Sequence, residues 1–247
     1  MSAEGTTQGD PLAMDLYALS TQPLMTSLQV ASSVKQCLFA ADASGAASIT
    51  EITNWWDVLC TLGPDFGYFP NEKRCWIIAK PAKEQNVREV FKETSINVTV
   101  QGQKHIGAVL GSPEYLEEYV SKKVSNWVNE VATLAEFALS QSQACYAVYT
   151  FGLKHRWTYF LRTLPDIQDL LEPLKNAISQ VLIPAITKRK CNQLDRTIRA
   201  LPVCPGGVGF GNPCLEARRE YASSVKVTTP SFNKSYLSHM SYQKISS

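Results

Sequence analysis

CLFAADASGA, Cys37 to Ala46, is a short apolar run that meets a carboxylate at Asp42 and then gives way to small, flexible residues. With Val34, Lys35 and Gln36 in front of it, the stretch reads as a buried β-strand ending at a charged residue. Asp42 can serve there as a turn residue, hydrogen-bonding locally to the Ala-Ser-Gly that follows. It can also serve as a ligand or an acid–base group. The neighbouring segments decide between these readings.

Upstream, SAEGTTQGDP (Ser2 to Pro11) is turn-forming throughout, and an apolar helical run with Leu12, Leu16 and Leu19 follows it at once, Pro11 standing at a first helical position. A loop this free ordinarily joins two elements, so the chain is expected to begin inside a domain whose earlier half is missing. Pro23 is expected to stop the helix. Downstream, ASITEITNWWDVLCTLGP predicts a helix with Ile49, Ile52, Trp55, Trp56 and Leu59 on one face, stopped by Gly63-Pro64. CWIIAK is a second apolar strand and KEQNVREVFKE an amphipathic helix. INVTVQGQKHIGAVLG reads as a hairpin with its turn at QGQ, residues 101–103.

From Pro113 to about Ser140 the pattern changes. Leu116, Val120, Val124, Trp127, Val131, Leu134 and Ala138 recur at three and four residues, which marks one long amphipathic helix. Further helical patterns follow. The fold class expected is α+β: a small antiparallel sheet with packed helices over 1–112, then an all-helical bundle over 113–222, then a poorly ordered tail over 223–247 rich in Ser, Lys and Tyr.

The 247 residues are 45% apolar, with 24 basic and 22 acidic side chains, a formal net charge of +2. That balance permits a nucleic-acid partner without arguing for one. The seven cysteines stand singly, with no CxxC and no histidine at ligand spacing, so zinc is not expected and the thiols read as reduced. No leader and no membrane-spanning run is evident. The expected location is intracellular, cytoplasmic or nuclear, with no membrane partner.

Four blocks in order, EGTTQGDPLAM, VKQCLFAADAS, GYFPNEKRCW and GQKHIGAVLG, resemble the second half of a retrotransposon reverse-transcriptase palm, and the helical remainder ending in LPVCPGGVGFGNP resembles the thumb and downstream region of such polymerases. The resemblance covers residues 2–232. It implies that Gln8 and Gly9 face template and incoming nucleotide, that Lys73 or Arg74 (Arg74 when Trp76 is aligned) points at the phosphates, and that the hairpin with His105 and Gly107 holds the primer terminus. It also implies Mg²⁺ as cofactor and an RNA or DNA template-primer as partner. In the family the strand-turn carries two adjacent Asp as metal ligands. Here the first of these positions is Ala41, so Asp42 is the residual catalytic and metal-binding carboxylate, and the family's other carboxylate lies on an upstream strand that the sequence lacks. Polymerases of this type hold two divalent cations between carboxylates, whose charge the cations require. The resemblance therefore implies descent from RNA-directed DNA polymerases without catalysis by this chain alone.

The remaining features have plainer readings. Trp55, Trp56, Trp127 and Trp157 read as core, His105 as a hairpin residue and His155 as a helix-surface one. KHRW (154–157) and KRK (188–190) read as solvated faces, or as duplex contacts if the bundle is a thumb. The alternatives to a degenerate polymerase segment are a domesticated module binding nucleic acid or a protein, and a relic without function.

Overall fold

The computed structural model describes residues 10–39, 42–204 and 206–243, with side chains as far as residue 229. The chain is of mixed α+β class, mostly helical, with three two-stranded sheets among the described residues. It forms two compact units, Met1–Val100 and Gln101–Ser247.

In the first unit, α1 spans Ala13–Ala31 and buries Thr21, Leu24 and Leu28, whereas Leu12, Leu16 and Leu19 remain exposed. Pro23 does not end the helix as the sequence suggests; it lies inside it. The proline removes one helical hydrogen bond, and the enclosed Leu24 and Leu28 just beyond it supply the burial that carries the helix through.

β1, Lys35–Phe39, and β2, Asp42–Ala46, form an antiparallel hairpin in which Phe39 faces Asp42. Two expectations change here. The residues after Asp42 are the returning strand rather than a flexible turn, and β1 alternates between exposed and half-buried positions instead of being enclosed. A hairpin of two strands has one inner face, so only alternate side chains can turn inward.

α2, Ile49–Leu62, starts where Ser48 Oγ accepts from the Glu51 amide and stops at Gly63-Pro64 as expected. A relay of side chains ties it to its neighbours. Trp55 Nε1 donates to Gln36 Oε1 at 2.7 Å, Gln36 Nε2 donates to the Met25 carbonyl at 2.8 Å, and Asn54 Nδ2 donates to the Ala31 carbonyl at 2.7 Å. Trp55, Trp56 and Leu59 join Leu24, Leu28, Val34, Val87 and Phe91 in the first core. β3, Trp76–Ile78, and β4, Asn97–Thr99, pair in parallel, with α3, Glu84–Val90, in the crossover between them.

In the second unit, β5, Gly102–His105, and β6, Ala108–Gly111, form a hairpin that turns at Ile106-Gly107. The QGQ turn of the sequence reading is not formed. Its first arm is β4, which pairs with β3 and packs Val98 on the first core. Val109 of the new hairpin is buried in the second core, so the division falls after Val100 rather than near residue 112.

α4, Pro113–Ala138, carries the long stripe the periodicity predicts: Val120, Val124, Trp127, Val131, Ala135 and Ala138 are buried along it. α5, Ser142–Phe151, α6, Thr158–Thr163, and α7, Glu172–Ala177, pack around it. A π-helical segment, Ile178–Leu182, then leads into α8, Ile183–Thr187, with the Ile183 amide bonded to the Ile178 carbonyl. Pro184 explains the wider turn, since a proline in a regular α-helix drives its ring against the carbonyl four residues back.

α9, Gln193–Ala200, opens with a capping box between Asn192 and Asp195. α10, Pro213–Gln243, runs through the stretch expected to lack order; Ala217 anchors its start in the core and no glycine interrupts the helix. Residues 244–247 of that expected tail lie outside the described residues. No described helix is long and apolar enough to cross a membrane.

The relay and core around α1 give a direct test. Leu28→Ala should lower unfolding free energy by about 2–5 kcal/mol in urea titrations, because Leu28 is fully enclosed.

Candidate functional site

Asp42 sits at the tip of the first hairpin with its side chain exposed. Ala41, and likewise Gln8 and Gly9, lie outside the described residues. Tyr68 closes under the hairpin: it hydrogen-bonds the backbone of Ala43 and lies within reach of the charges of Asp42, Tyr17 and Cys75, and burial pushes its phenol above the ordinary value. Cys75 follows directly on the one-turn 3-10 helix Glu72–Arg74, whose Lys73 and Arg74 side chains are exposed. Asp42 and Cys75 are thus neighbours of the same tyrosine. Asp10, beside the Gln-Gly motif, is a capping residue, its Oδ1 accepting from the Leu12 amide at 2.9 Å.

These residues do not fit a pair of magnesium ions. Asp42 is a single, exposed carboxylate following an alanine, and among the described residues no three His, Cys, Asp or Glu side chains gather into a metal-binding group.

The second hairpin holds a different arrangement. Ile106 has φ +47° and Gly107 φ +80°, so the turn needs left-handed backbone at both positions. Glycine adopts this freely, and a β-branched isoleucine does so under strain. Two tyrosines hold the turn: Tyr159 Oη donates to the Ile106 carbonyl and Tyr119 Oη to the Gly107 carbonyl. His105, half-buried, ends the strand before it. Beside the turn, Lys104 and Lys123 each place Nζ 5.7 Å from the Tyr119 ring centre, and Lys123 lies 6.0 Å from that of Phe160. Tyr119 and Phe160 stack at 6.2 Å, and Phe160 meets Trp127 edge-on at 5.1 Å, so the exposed end of this aromatic file is rooted in the core. The unit that carries it has 17 basic against 11 acidic side chains, while residues 1–100 have 7 against 11. The small net charge of the whole chain conceals this asymmetry.

The basic clusters singled out in the sequence are engaged in the fold. Lys154 Nζ donates to the Gly209 carbonyl, and Arg156 pairs with Glu130 at 2.9 Å. Lys188 Nζ donates to the carbonyls of Ala138 and Leu139 at 3.2 and 3.0 Å, capping the C-terminus of α4 with a cation. All three KRK residues are exposed and none forms an ion pair among the described residues; Lys188 is engaged by carbonyls alone.

Sequence reasoning missed the strap formed by residues 206–212. Its four successive carbonyls, from Val208 to Gly211, accept from Tyr146 Oη, Lys154 Nζ, Tyr149 Oη and Arg196 Nη2 in turn. Its amides at Gly206, Gly207, Gly209 and Phe210 donate to the carbonyls of Val203, Pro202, Leu201 and Arg199. A glycine-rich GGVGFG invites comparison with phosphate loops, but those leave their amides free to meet an anion. Here the amides are already bonded, and the glycines serve close packing: an added Cβ on Gly207 would collide with the Leu201 carbonyl oxygen.

Replacing the strained residue checks the turn assignment. Ile106→Asn should raise stability by about 1 kcal/mol in thermal unfolding, since asparagine tolerates left-handed backbone and isoleucine does not. Comparison with protein-family models, with curated proteins and with solved structures gave no match for this chain.

Proposed function

We propose that the chain is a degenerate reverse-transcriptase segment, a palm remnant followed by a thumb-like helical region, that does not carry out nucleotidyl transfer by itself. The observation that carries this reading is the order of the four sequence blocks together with the position of the Phe-Ala-Ala-Asp motif. The register pairs Phe39 with Asp42, the two ends of the motif, and the resemblance implies metal ligands there. Other features support it. Asp10 and Pro11 stand directly ahead of α1, and Cys75, which follows Arg74, and Asp42 both lie near Tyr68. Ala41 is what removes the activity: a methyl group offers no oxygen to a dication, and a lone aspartate leaves most of the metal charge uncompensated.

The test is primer extension on an RNA or DNA template with Mg²⁺ or Mn²⁺. No product above background is expected, and template-dependent product overturns the proposal. In any longer polypeptide that contains this segment, Ala41→Asp should raise extension more than any other single change.

A second reading, binding without catalysis, is favoured by the cation–aromatic file at the β5–β6 hairpin. Lysines over aromatic rings on a basic unit offer phosphate contacts and a stacking face together. A primer–template duplex titrated by fluorescence anisotropy should bind more weakly to Lys104→Glu/Lys123→Glu. The slope of log affinity on log salt should shrink by about one for each phosphate that the variant no longer neutralises. An unchanged slope rules this file out as the binding surface.

A further inference from the structure

The strap closes over a pair of opposite charges that do not meet. Arg196 is 5% exposed, and its Nε and Nη1 are buried without a hydrogen-bond partner among the described residues, while Nη2 donates to the Gly211 carbonyl. Glu216, at the start of α10, accepts from the Asn212 amide at 3.0 Å, and its carboxylate lies directly over Gly211, where an added Cβ would collide with Oε1. Gly211 therefore stands between a buried cation and a largely buried anion, and no direct ion pair joins the two.

We propose that the strap is a two-state latch: with Gly211 seated, Arg196 and Glu216 are held apart, and with Gly211 lifted they close on each other as a direct ion pair. Each state satisfies what the other leaves open. Seating the strap buries Phe210 against Tyr146 and Tyr149 and provides acceptors for four side chains, but leaves two guanidinium N–H groups unmet in the interior. Lifting it forfeits that burial and gives the guanidinium a carboxylate of matching geometry. A few residues of glycine-rich chain absorb the difference, with Gly206, Gly209 and Gly211 already at positive φ.

The charge on Glu216 biases the latch. Facing it are Arg196 of α9, Tyr149 of α5, Lys154 in the turn after α5, and Glu220 one turn along α10, which is itself paired with Arg162 of α6. Burial outweighs the two cations and holds the carboxyl above its ordinary value in the seated state. A raised carboxyl favours the seated strap while the proton is on. In the lifted state the ion pair with Arg196 holds the same carboxyl low, so seating is fully present below that lowered pKa and weakens as pH rises from it through the raised one.

Amide exchange followed by NMR on the full chain tests this at Gly209 and Phe210, whose amides bond to Leu201 and Arg199. After correction for intrinsic exchange, protection at these two amides should fall about tenfold per pH unit across the Glu216 titration, the slope of one proton. The core amides of Val124 and Val131 should show no such fall. Glu216→Gln should remove the pH dependence and keep the strap protected throughout. Gly211→Ala should expose the two strap amides at every pH while the α4 amides stay protected. The same pH dependence in wild type and Glu216→Gln overturns the latch, as does full strap protection in Gly211→Ala. Should Gly211→Ala also strip α4 of protection, the comparison of wild type with Glu216→Gln decides alone.

Discussion

The apolar stripe of α4 is the constraint on which the second unit depends. Val120, Val124, Trp127, Val131 and Ala135 lie on one side of a single helix, and that side is wide enough to require cover from α5, α7, the π segment and the hairpin together. The placement of the polar groups follows from this demand. Once α4 is enclosed, its last carbonyls need a partner that can reach over α8, and Lys188 provides it by adopting a left-handed backbone at the end of that helix. Trp157 must be buried next to Trp127, which brings Arg156 beside Glu130 and Lys154 under the strap.

This is why basic residues were poor guides to a binding face. A charge run read from sequence is assumed to point at solvent, yet a long cationic side chain lays its stem along apolar surface and delivers its head to whatever acceptor lies at the end. In KHRW and KRK the acceptors are protein carbonyls and a glutamate. The cations left beside an aromatic surface, Lys104 and Lys123, belong to neither of these runs; they come together through a strand and a helix. The candidate surface is a product of tertiary packing, and single-sequence reading has no access to it.

Elements with strong local signals were legible. Gly63-Pro64 closes α2, and the α4 stripe runs the length of its helix, because stop signals and period are properties of nearby residues. Pairing was not legible. Whether Asn97–Thr99 turns back at QGQ or joins β3 depends on which core Val98 fills and on its pairing with Ile77, a partner remote along the chain. Pro23 failed as a helix stop for the same reason, since burial of Leu24 and Leu28 overrode a local penalty. The site was half visible: Asp42 and the alanine before it could be read directly, while Tyr68, the tyrosine clamp on Ile106 and the strap over Arg196 depend on partners distant in sequence.

Two adjacent carboxylates at a strand-turn repel each other and are held close only where a divalent ion balances them. In the first hairpin Asp42 is exposed and able to face water from its place across from Phe39. On the proposed descent from polymerases, the hairpin keeps its shape because the shape comes from Gln36, Trp55 and Gly45 beneath it, none of which a metal ever had to organise. Catalysis and architecture are carried by different residues of the same short stretch and its supports, so one can be lost while the other stays.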